Sequence, residues 1–361
     1  MTSSTTSTSA PDARTGDAPR ALALLSGGLD SMLAARVVMD QGVHVEAVNF
    51  YTGFCVEGHT RALRPSKGGP PKRHDALWVA EQLGIRLHIV DVAEDYKSVV
   101  IDPRFGYGAH LNPCLDCKIF MATRADDFAR DRGFDFLITG EVLDQRPKSQ
   151  RPEALPLIAR ASGTEDRLLR PLSAHHLRET LPERRGWVDR TRLYGFHGRN
   201  RKPQLALAAE LGLEEITQPA GGCCFLTDPA YSRKLGDLFE SRGARDYELD
   251  DIVLLKVGRH VRPGPAFKVI VGREDGENRY LAGYRDRFIS LEAIGHEGPL
   301  ALIDGTIDDE GLTLAARIVA RYGQGRSAPA VNMQISRPDG SGEVRTVAPL
   351  RPDRIPDGWL L

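Results

Sequence analysis

The chain has 361 residues, a formal net charge of −1 and a composition ordinary for globular proteins. This near-neutral balance excludes a uniformly basic surface, so binding of a polyanion would depend on local clusters of positive charge. No apolar stretch has the length of a membrane span, and the polar first residues lack the apolar core of a signal peptide, which favours a cytoplasmic protein with no membrane partner. Five cysteines, two of them adjacent, argue for reduced thiols with chemical or metal-binding roles.

The first part of the chain alternates short apolar runs with amphipathic segments. Residues 1–19 are rich in Ser and Thr and are predicted to form a disordered tail. Strands are predicted at 21–25, 43–50, 86–91 and 134–139, and helices at 31–41, at 74–83 and from Cys117 to near Gly133. Strands separated by helices predict an α/β domain with a doubly wound parallel sheet, expected to cover residues 20–240.

The composition changes in the second half. Residues 178–202 carry eight Arg and Lys against three acidic residues. Beyond Tyr247 the pattern is rich in predicted strands, at 252–257, 267–271 and 279–282, with Asp275-Gly276 as a hairpin turn between the last two. A second, smaller domain of α+β or β-rich type is therefore expected over residues 245–361.

A glycine-rich loop, Ser26-Gly27-Gly28-Leu29-Asp30-Ser31, lies between the first predicted strand and the first predicted helix. Its two glycines allow the backbone to approach an anion closely, and the positive end of the helix points at the same place. Ser26 and Ser31 add hydroxyl donors, and Asp30 is suited to cap the helix or to hold Mg²⁺ on bound phosphates. The loop is therefore predicted to bind phosphate.

The cysteines fall into two groups. Cys114 and Cys117 form a CxxC motif at the start of a predicted helix, where the helix N-terminus stabilises thiolates. Cys223 and Cys224 follow two glycines about a hundred residues later. Four interpretations of these cysteines remain open: nucleophiles, an open metal site with three ligands, a four-cysteine site, and simple buried thiols. Cys55 stands alone in a loop and is expected to be inert.

The loop, following the apolar run LALL, resembles the PP-loop of the ATP pyrophosphatase superfamily. Members of that superfamily cleave ATP between the α and β phosphates and transfer AMP to a substrate oxygen. The runs NPCLDCKIFM, FLITGE and GCCF are similar to those of tRNA thiouridine synthases, of the 2-thiouridylase and 4-thiouridine synthetase types. Two positions depart from the pattern, since Lys118 stands in place of Asn and Glu141 in place of His. The resemblance implies ATP contacts at Ser26, Gly27, Gly28, Leu29, Asp30, Ser31, Phe50 and Gly140.

The C-terminal region resembles the RNA-binding domain of NFACT-type proteins, through Val257-Gly258-Arg259-His260 and Val271-Gly272-Arg273. This resemblance and the basic run point to RNA as the partner. The candidate RNA contacts are Arg184, Arg185, Arg190, Arg192, Arg259 and Lys268.

Together the resemblances imply ATP-dependent tRNA thiolation with Mg²⁺, in which Asp30, Cys117 and Cys224 are the catalytic residues. The sulfur would be carried as a persulfide on Cys224 or on a [4Fe–4S] cluster held by Cys114, Cys117 and Cys224, with Cys223 as the alternative ligand. The three-ligand count favours the cluster. The sulfur donor would be a cysteine desulfurase or free sulfide. The alternatives are a PP-loop ligase or amidotransferase acting on a small molecule, and a non-catalytic RNA-binding protein.

Overall fold

The first sheet is parallel and carries the glycine-rich loop. A computed structural model of the chain describes residues 18–55, 75–213 and 224–361. Its first five strands are β1 (Arg20–Leu24), β2 (His44–Tyr51), β3 (Leu87–Asp91), β4 (Phe136–Ile138) and β5 (Leu168–Leu169). They lie in the order β3-β2-β1-β4-β5, with every neighbouring pair parallel. The predicted doubly wound parallel sheet is confirmed.

Helices cover both faces of this sheet. They are α1 (Leu29–Met39), α2 (Asp75–Leu83), α3 (Ala93–Ile101), α4 (Cys114–Asp131), α5 (Ala154–Ala161), α6 (Leu181–Arg184) and α7 (Lys202–Glu210). Along β1, Ala21 and Ala23 pack into the core that contains α1, whereas Leu22 packs into the core that contains α4. Because the central strands are buried on both faces, their sequences are continuous apolar runs. None of the helices that the structure describes combines the length and apolar character needed to cross a membrane.

The C-terminal domain is built on an antiparallel sheet. Its strands are β6 (Arg259–Val261), β7 (Phe267–Val271), β8 (Ile289–Ile294), β9 (Ala301–Gly305), β10 (Val331–Ser336) and β11 (Gly342–Val347). They lie in the order β11-β10-β8-β9-β7-β6, all antiparallel. Two helices precede this sheet in the chain, and two more follow β7. The domain is therefore of the α+β type.

Four helices surround this second sheet and its connection to the first domain. They are α8 (Pro229–Arg242), α9 (Leu249–Leu254), α10 (Asp275–Ala282) and α11 (Asp309–Tyr322). Val269 and Val271 pack against α11 on one face of the sheet. Ile270 faces the other way, towards Leu281 of α10 and Leu254 of α9. The alternation along β7 thus places a helix layer on each face.

Two predicted strands are helices in the structure. Residues 252–257, predicted as a strand, overlap α9, where Glu248 and Asp251 form a reciprocal capping box that starts a helix. Residues 279–282 belong to α10, whose first turn contains the Asp275-Gly276 pair expected to form a hairpin turn. Acidic residues in a first turn favour helix because they face its positive end. The strand predicted at 267–271 is confirmed as β7.

A buried charge cluster joins α8 to the second sheet. The carboxylate of Asp237 accepts hydrogen bonds from the guanidinium of Arg262 and lies 3.4 Å from Lys268 Nζ, which is also 3.3 Å from a carboxylate oxygen of Asp304. The Lys268 side chain is only 1% exposed. Lys268 is therefore a structural cation, and the prediction that it contacts RNA is wrong.

This cluster predicts a large loss of stability in Asp237→Ala. Removing one partner of a buried ion pair leaves uncompensated charge, which costs about 3 to 5 kcal/mol. Asp353→Ala is the matched control, because its pair with Arg351 is exposed on both sides and contributes less than about 1 kcal/mol. The measurement is the free energy of unfolding by chemical denaturation, and equal losses in the two variants would contradict the structural role of the cluster.

Candidate active site

The glycine-rich loop lies where ligands bind in open parallel sheets. It follows β1, the central strand, whose neighbours are β2 on one side and β4 on the other. The chain runs from β1 to β2 and β3 on one side and then crosses to β4 on the other side of β1, so a crevice opens at the carboxyl ends of β1 and β4. The segment from Thr139 to Glu141 after β4 and the segment from Thr52 to Cys55 after β2 lie at the same edge.

The loop has the backbone geometry of an anion-binding nest. Gly27 has φ +78°, a conformation that side chains disfavour, and a Cβ placed there would lie 2.6 Å from the Cβ of Asp75. Gly28 caps α1, and the Ser31 hydroxyl donates to the Gly28 carbonyl over 2.8 Å. Leu29 is buried in the core, so it can reach a ligand through its backbone N–H. The loop is thus held in a conformation suited to phosphate.

Gly140, at the end of β4, touches the backbone of this loop. A Cβ on Gly140 would lie 2.4 Å from the carbonyl carbon and oxygen of Asp30 and 2.4 Å from the nitrogen of Ser31. Real Cβ atoms do not approach backbone so closely, so the position requires glycine. The side chain of Phe50, at the end of β2, packs in the core beside α4, so an ATP contact there would use its backbone.

Asp30 is held by polar side chains from two later segments. Gln145 Nε2 donates to its Oδ2 over 3.0 Å, and a guanidinium nitrogen of Arg201 lies 3.8 Å from its Oδ1. Burial raises the pKa of Asp30, whereas Gln145 and Arg201 act in the opposite direction. Oδ1 is buried and accepts no hydrogen bond from the described residues. A buried carboxylate oxygen of this kind, beside a phosphate nest, fits a Mg²⁺ ligand.

The two residues that depart from the thiouridine-synthase pattern face each other. Lys118 Nζ in α4 lies 3.7 Å from Glu141 Oε1, and Arg170 Nε donates to Glu141 Oε2 over 2.9 Å. Burial alone would raise the pKa of Glu141, but Arg170 and Lys118 outweigh it and lower that pKa. Glu141 therefore stays ionised within the crevice. The sequence showed the two departures but contained no sign that they form one contact.

Cys114 and Cys117 lie at the start of α4, as predicted. Asn112 Nδ2 donates to Cys114 Sγ over 3.3 Å, and Cys117 lies one turn further on. Cys117 and Cys224 both pack against one apolar cluster. Among the described residues, no group of three or more His, Cys, Asp or Glu side chains is placed to hold a metal ion. Cys114, Cys117 and Cys224 as placed therefore do not fit a shared cluster, and Cys223 lies outside the described residues.

Cys55 is not isolated, contrary to the expectation from sequence. It pairs with Cys224 in an antiparallel bridge between two otherwise irregular segments. Both residues are partly exposed. Cys55 gave no sign in the sequence, because the bridge joins segments far apart in the chain.

The predicted RNA contacts in the basic run differ in how much of each side chain is available. Arg190 pairs with Glu183 and donates to the carbonyls of Ala174 and Leu177 at 2.7 and 2.8 Å. These bonds give Arg190 a structural role, and its contact with RNA stays a prediction.

The remaining arginines face solvent. Arg184, Arg185, Arg192 and Arg259 are exposed. Arg184 pairs with Asp166, Arg192 donates to the carbonyl of Asp40, and Arg259 lies over the ring of Tyr322. All four keep a surface that phosphate can reach.

The contact between Gly140 and the loop predicts that Gly140→Ala will abolish ATP binding. The added methyl group would displace the backbone of Asp30 and Ser31, and with it the nest and the start of α1. The matched control is Gly236→Ala, in helix α8, where an added Cβ meets nothing within 4 Å and should stabilise by about 0.5 to 1 kcal/mol. Calorimetric titration with ATP provides the measurement, and unchanged affinity in Gly140→Ala would refute the close approach.

Comparison with known proteins assigns each domain a relative. Residues 19–160 match the family model described as the tRNA methyl transferase HUP domain. Residues 258–360 match the model described as the NFACT protein RNA binding domain. The two matches fall on the parallel and the antiparallel sheet, respectively.

Curated relatives include tRNA-specific 2-thiouridylases. The protein MnmA of Pelobacter propionicus is 32% identical over 122 residues, which are 32% of this chain and 31% of that protein. The match thus spans about a third of the relative's length. MnmA of Geotalea uraniireducens is 25% identical over 346 residues, covering 93% of this chain and 83% of that protein.

Among solved structures, a 4-thiouridine synthetase in complex with RNA and ATP aligns at 25% identity and a TM-score of 0.39. The alignment covers 58% of this chain and 45% of that one. The resemblance inferred from the sequence motifs is confirmed: the chain joins a PP-loop domain similar to that of tRNA 2-thiouridylases to a domain similar to the NFACT RNA-binding domain.

Proposed function

We propose that the chain is an ATP-dependent tRNA sulfurtransferase, which adenylates a carbonyl oxygen of a tRNA uridine and replaces that oxygen with sulfur. The observation that carries the proposal is the arrangement of the loop, Asp30 and Gly140 in one crevice, with α4 and its CxxC motif reaching the same place through the contact between Lys118 and Glu141. The similarity to 2-thiouridylases supports this reaction class.

In the adenylation step, the loop amides and the hydroxyls of Ser26 and Ser31 hold the phosphates of ATP. The uridine oxygen attacks the α-phosphorus, the bond to the bridging oxygen breaks, and pyrophosphate leaves with its electron pair. Asp30 would hold Mg²⁺, which neutralises charge on the departing pyrophosphate. Donors already in place at the leaving group stabilise the transition state without reorganisation.

In the sulfur step, a nucleophilic sulfur attacks the activated uridine carbon and AMP leaves. Cys224 would carry that sulfur as a persulfide, whose outer sulfur is transferred from the persulfide of a cysteine desulfurase as the thiol of the desulfurase is released. Cys117 lies on the same apolar cluster and would act with it. The described cysteines do not fit a [4Fe–4S] cluster, so no step is assigned to one. The reaction would take place in the cytoplasm.

The adenylation step is tested by Asp30→Asn, which we expect to lower tRNA-dependent formation of AMP and pyrophosphate at least about a hundredfold. Asp40→Asn is the control, because Asp40 follows the other end of the same helix and pairs with Arg36 on the surface. Pyrophosphate release is the measurement. Pyrophosphate release at the wild-type rate in Asp30→Asn would refute the role of Asp30 in adenylation. If the wild-type protein forms AMP without tRNA, a small-molecule ligase is favoured. If it does not turn over ATP at all, a purely RNA-binding protein is favoured.

RNA binding is tested by reversing Arg184, Arg185 and Arg192 to Glu. Each lost phosphate contact reduces the salt dependence of log K by about 0.7 to 0.9, because fewer counterions are released. The control is Arg160→Glu, an exposed arginine of α5 that pairs with Glu165. The measurement is the affinity for tRNA over a series of salt concentrations, which gives the slope of log K against log salt concentration. An unchanged slope in the triple variant would show that these three arginines face water in the complex.

A further inference from the structure

Lys256 is a buried lysine that follows helix α9. Only 6% of its surface is exposed. Its ammonium group donates to the carbonyl of Gly53 and lies 5.0 Å from the centre of the Phe225 ring. Among the residues that the structure describes, Lys256 forms no ion pair with a carboxylate. A buried charge without a counter-charge is costly, so a lysine of this kind indicates that an anion is held beside it.

The position of Lys256 is fixed from two sides. On one side, the Tyr231 hydroxyl of α8 donates to the carbonyl of Ile252 over 2.9 Å, which satisfies a carbonyl in the last turn of α9. On the other side, Gly53 has φ +80°, and a Cβ there would lie 2.7 Å from Ile252 Cδ1. The absence of a side chain thus allows the segment after β2 to approach α9. The ammonium group is held between the two.

The two segments that Lys256 contacts each carry a cysteine. Cys55 comes two residues after Gly53, Cys224 comes directly before Phe225, and the two cysteines are paired in the antiparallel bridge. Burial lowers the pKa of Lys256 to about 8, and negative charge on Cys55 and Cys224 acts in the opposite direction. Lys256 therefore stays protonated at neutral pH, and the negative charge that acts on it comes from sulfur.

The hydrogen bond of Cys55 uses its thiol proton. Cys55 Sγ donates to the carbonyl of Phe50 over 3.8 Å and lies 3.6 Å from Thr52 Oγ1. A thiolate has no proton to donate to a carbonyl, so Cys55 takes part in this contact as a neutral thiol. Of the two cysteines, Cys224 is therefore the one that can take the negative charge opposite Lys256.

We propose that Lys256 is a positioning residue, the counter-cation that stabilises negative charge on the sulfur of Cys224. The burial of its ammonium group and its place between the segments of Gly53 and Phe225 carry the proposal. The effect on the Cys224 thiol stands independently of the reaction, whereas the role in sulfur transfer rests on the proposed function.

The charge is needed at two points of the sulfur transfer. The Cys224 thiolate attacks the outer sulfur of the desulfurase persulfide, the S–S bond of the donor breaks, and its electron pair leaves on the donor thiolate. Cys224 then carries a persulfide, whose outer sulfur attacks the uridine carbon as an anion. Because the ammonium group of Lys256 is already in place, it stabilises both anions without reorganisation.

The effect on the thiol is tested by alkylating the full chain with iodoacetamide at neutral pH. After trypsin digestion, Cys224 lies in peptide 202–233 and the CxxC motif in peptide 105–118. Because Cys223 shares the first peptide, every protein compared carries Cys223→Ser. The measurement is the rate of alkylation of each peptide by mass spectrometry, and peptide 105–118 is the internal reference.

Two variants separate the charge of Lys256 from its hydrogen bond. Lys256→Met removes both, whereas Lys256→Gln removes the charge and keeps a donor for the carbonyl of Gly53. We expect each to slow the alkylation of Cys224 at least about tenfold, because the thiolate and not the thiol reacts. Alkylation of Cys224 at the wild-type rate in Lys256→Gln would overturn the proposal, whatever Lys256→Met shows.

Lys234→Met is the matched control. Lys234 in α8 also has its pKa lowered by burial to about 8, and it donates to the carbonyl of Leu255 over 3.2 Å, directly before Lys256 in the chain. The charged groups that act on Lys234 are not cysteines. We expect alkylation of Cys224 at the wild-type rate in this variant. An equal slowing in Lys234→Met and in the Lys256 variants would show a general disturbance of the region and overturn the proposal.

The role in sulfur transfer is tested in Lys256→Gln with ATP, tRNA and a persulfide-loaded cysteine desulfurase. We expect kcat for thiolation to fall at least about tenfold, with KM for ATP and tRNA and the first turnover of AMP formation unchanged. An unchanged kcat would overturn the role in transfer and leave the proposed function standing. Failure of the wild-type protein to thiolate tRNA would instead refute the proposed function, while the alkylation rates still decide whether Lys256 stabilises the thiolate of Cys224.

Discussion

The crevice depends on how closely the end of β4 approaches the loop after β1. The parallel register of these strands, with Ala23 opposite Ile138, brings the two following segments side by side. The absence of a side chain at Gly140 then allows the backbones to touch. Because the chain continues from Gly140 into Glu141 and Gln145, the same contact determines where the residues that face Lys118 and Asp30 lie. One steric condition thus organises both the phosphate nest and the polar groups around it.

The Lys118 and Glu141 departures from the thiouridine-synthase pattern are best understood as one feature. An Asn and a His are exchanged for a cation and an anion that lie in contact, and Arg170 supplies a second positive partner to the same carboxylate. A buried carboxylate with one partner would be costly, but two partners offset its desolvation. Lys118 directly follows Cys117 in the chain, so the network also ties the start of α4 to the end of β4.

The parallel sheet and the loop could be predicted from sequence because their signals are local. Apolar runs, helix periodicity and adjacent glycines are all contained in short windows. The predictions were wrong where contacts between residues far apart in the chain determine the local structure. Residues 252–257 are apolar except for Lys256, because a short helix there is buried on two sides, and the same composition is also typical of a strand. Lys268 was assigned to RNA because a lysine in a strand gives no sign of carboxylates that come from α8 and β9. The pairing of Cys55 with Cys224 was missed for the same reason.

Helix α9 has a consequence for where this protein can be divided. Its Ile252 packs with Phe54 and Tyr231, whereas its Leu254 packs with Ile270 and Leu302 of the second sheet. The family match begins at residue 258, but a fragment cut there would leave the apolar partners of Leu254 exposed to water. The unit that recombination or engineering can move intact is therefore longer than the unit that sequence similarity detects. A chimera that receives the C-terminal domain must therefore include α9. It must also provide an apolar surface against which the side of α9 that carries Ile252 can pack.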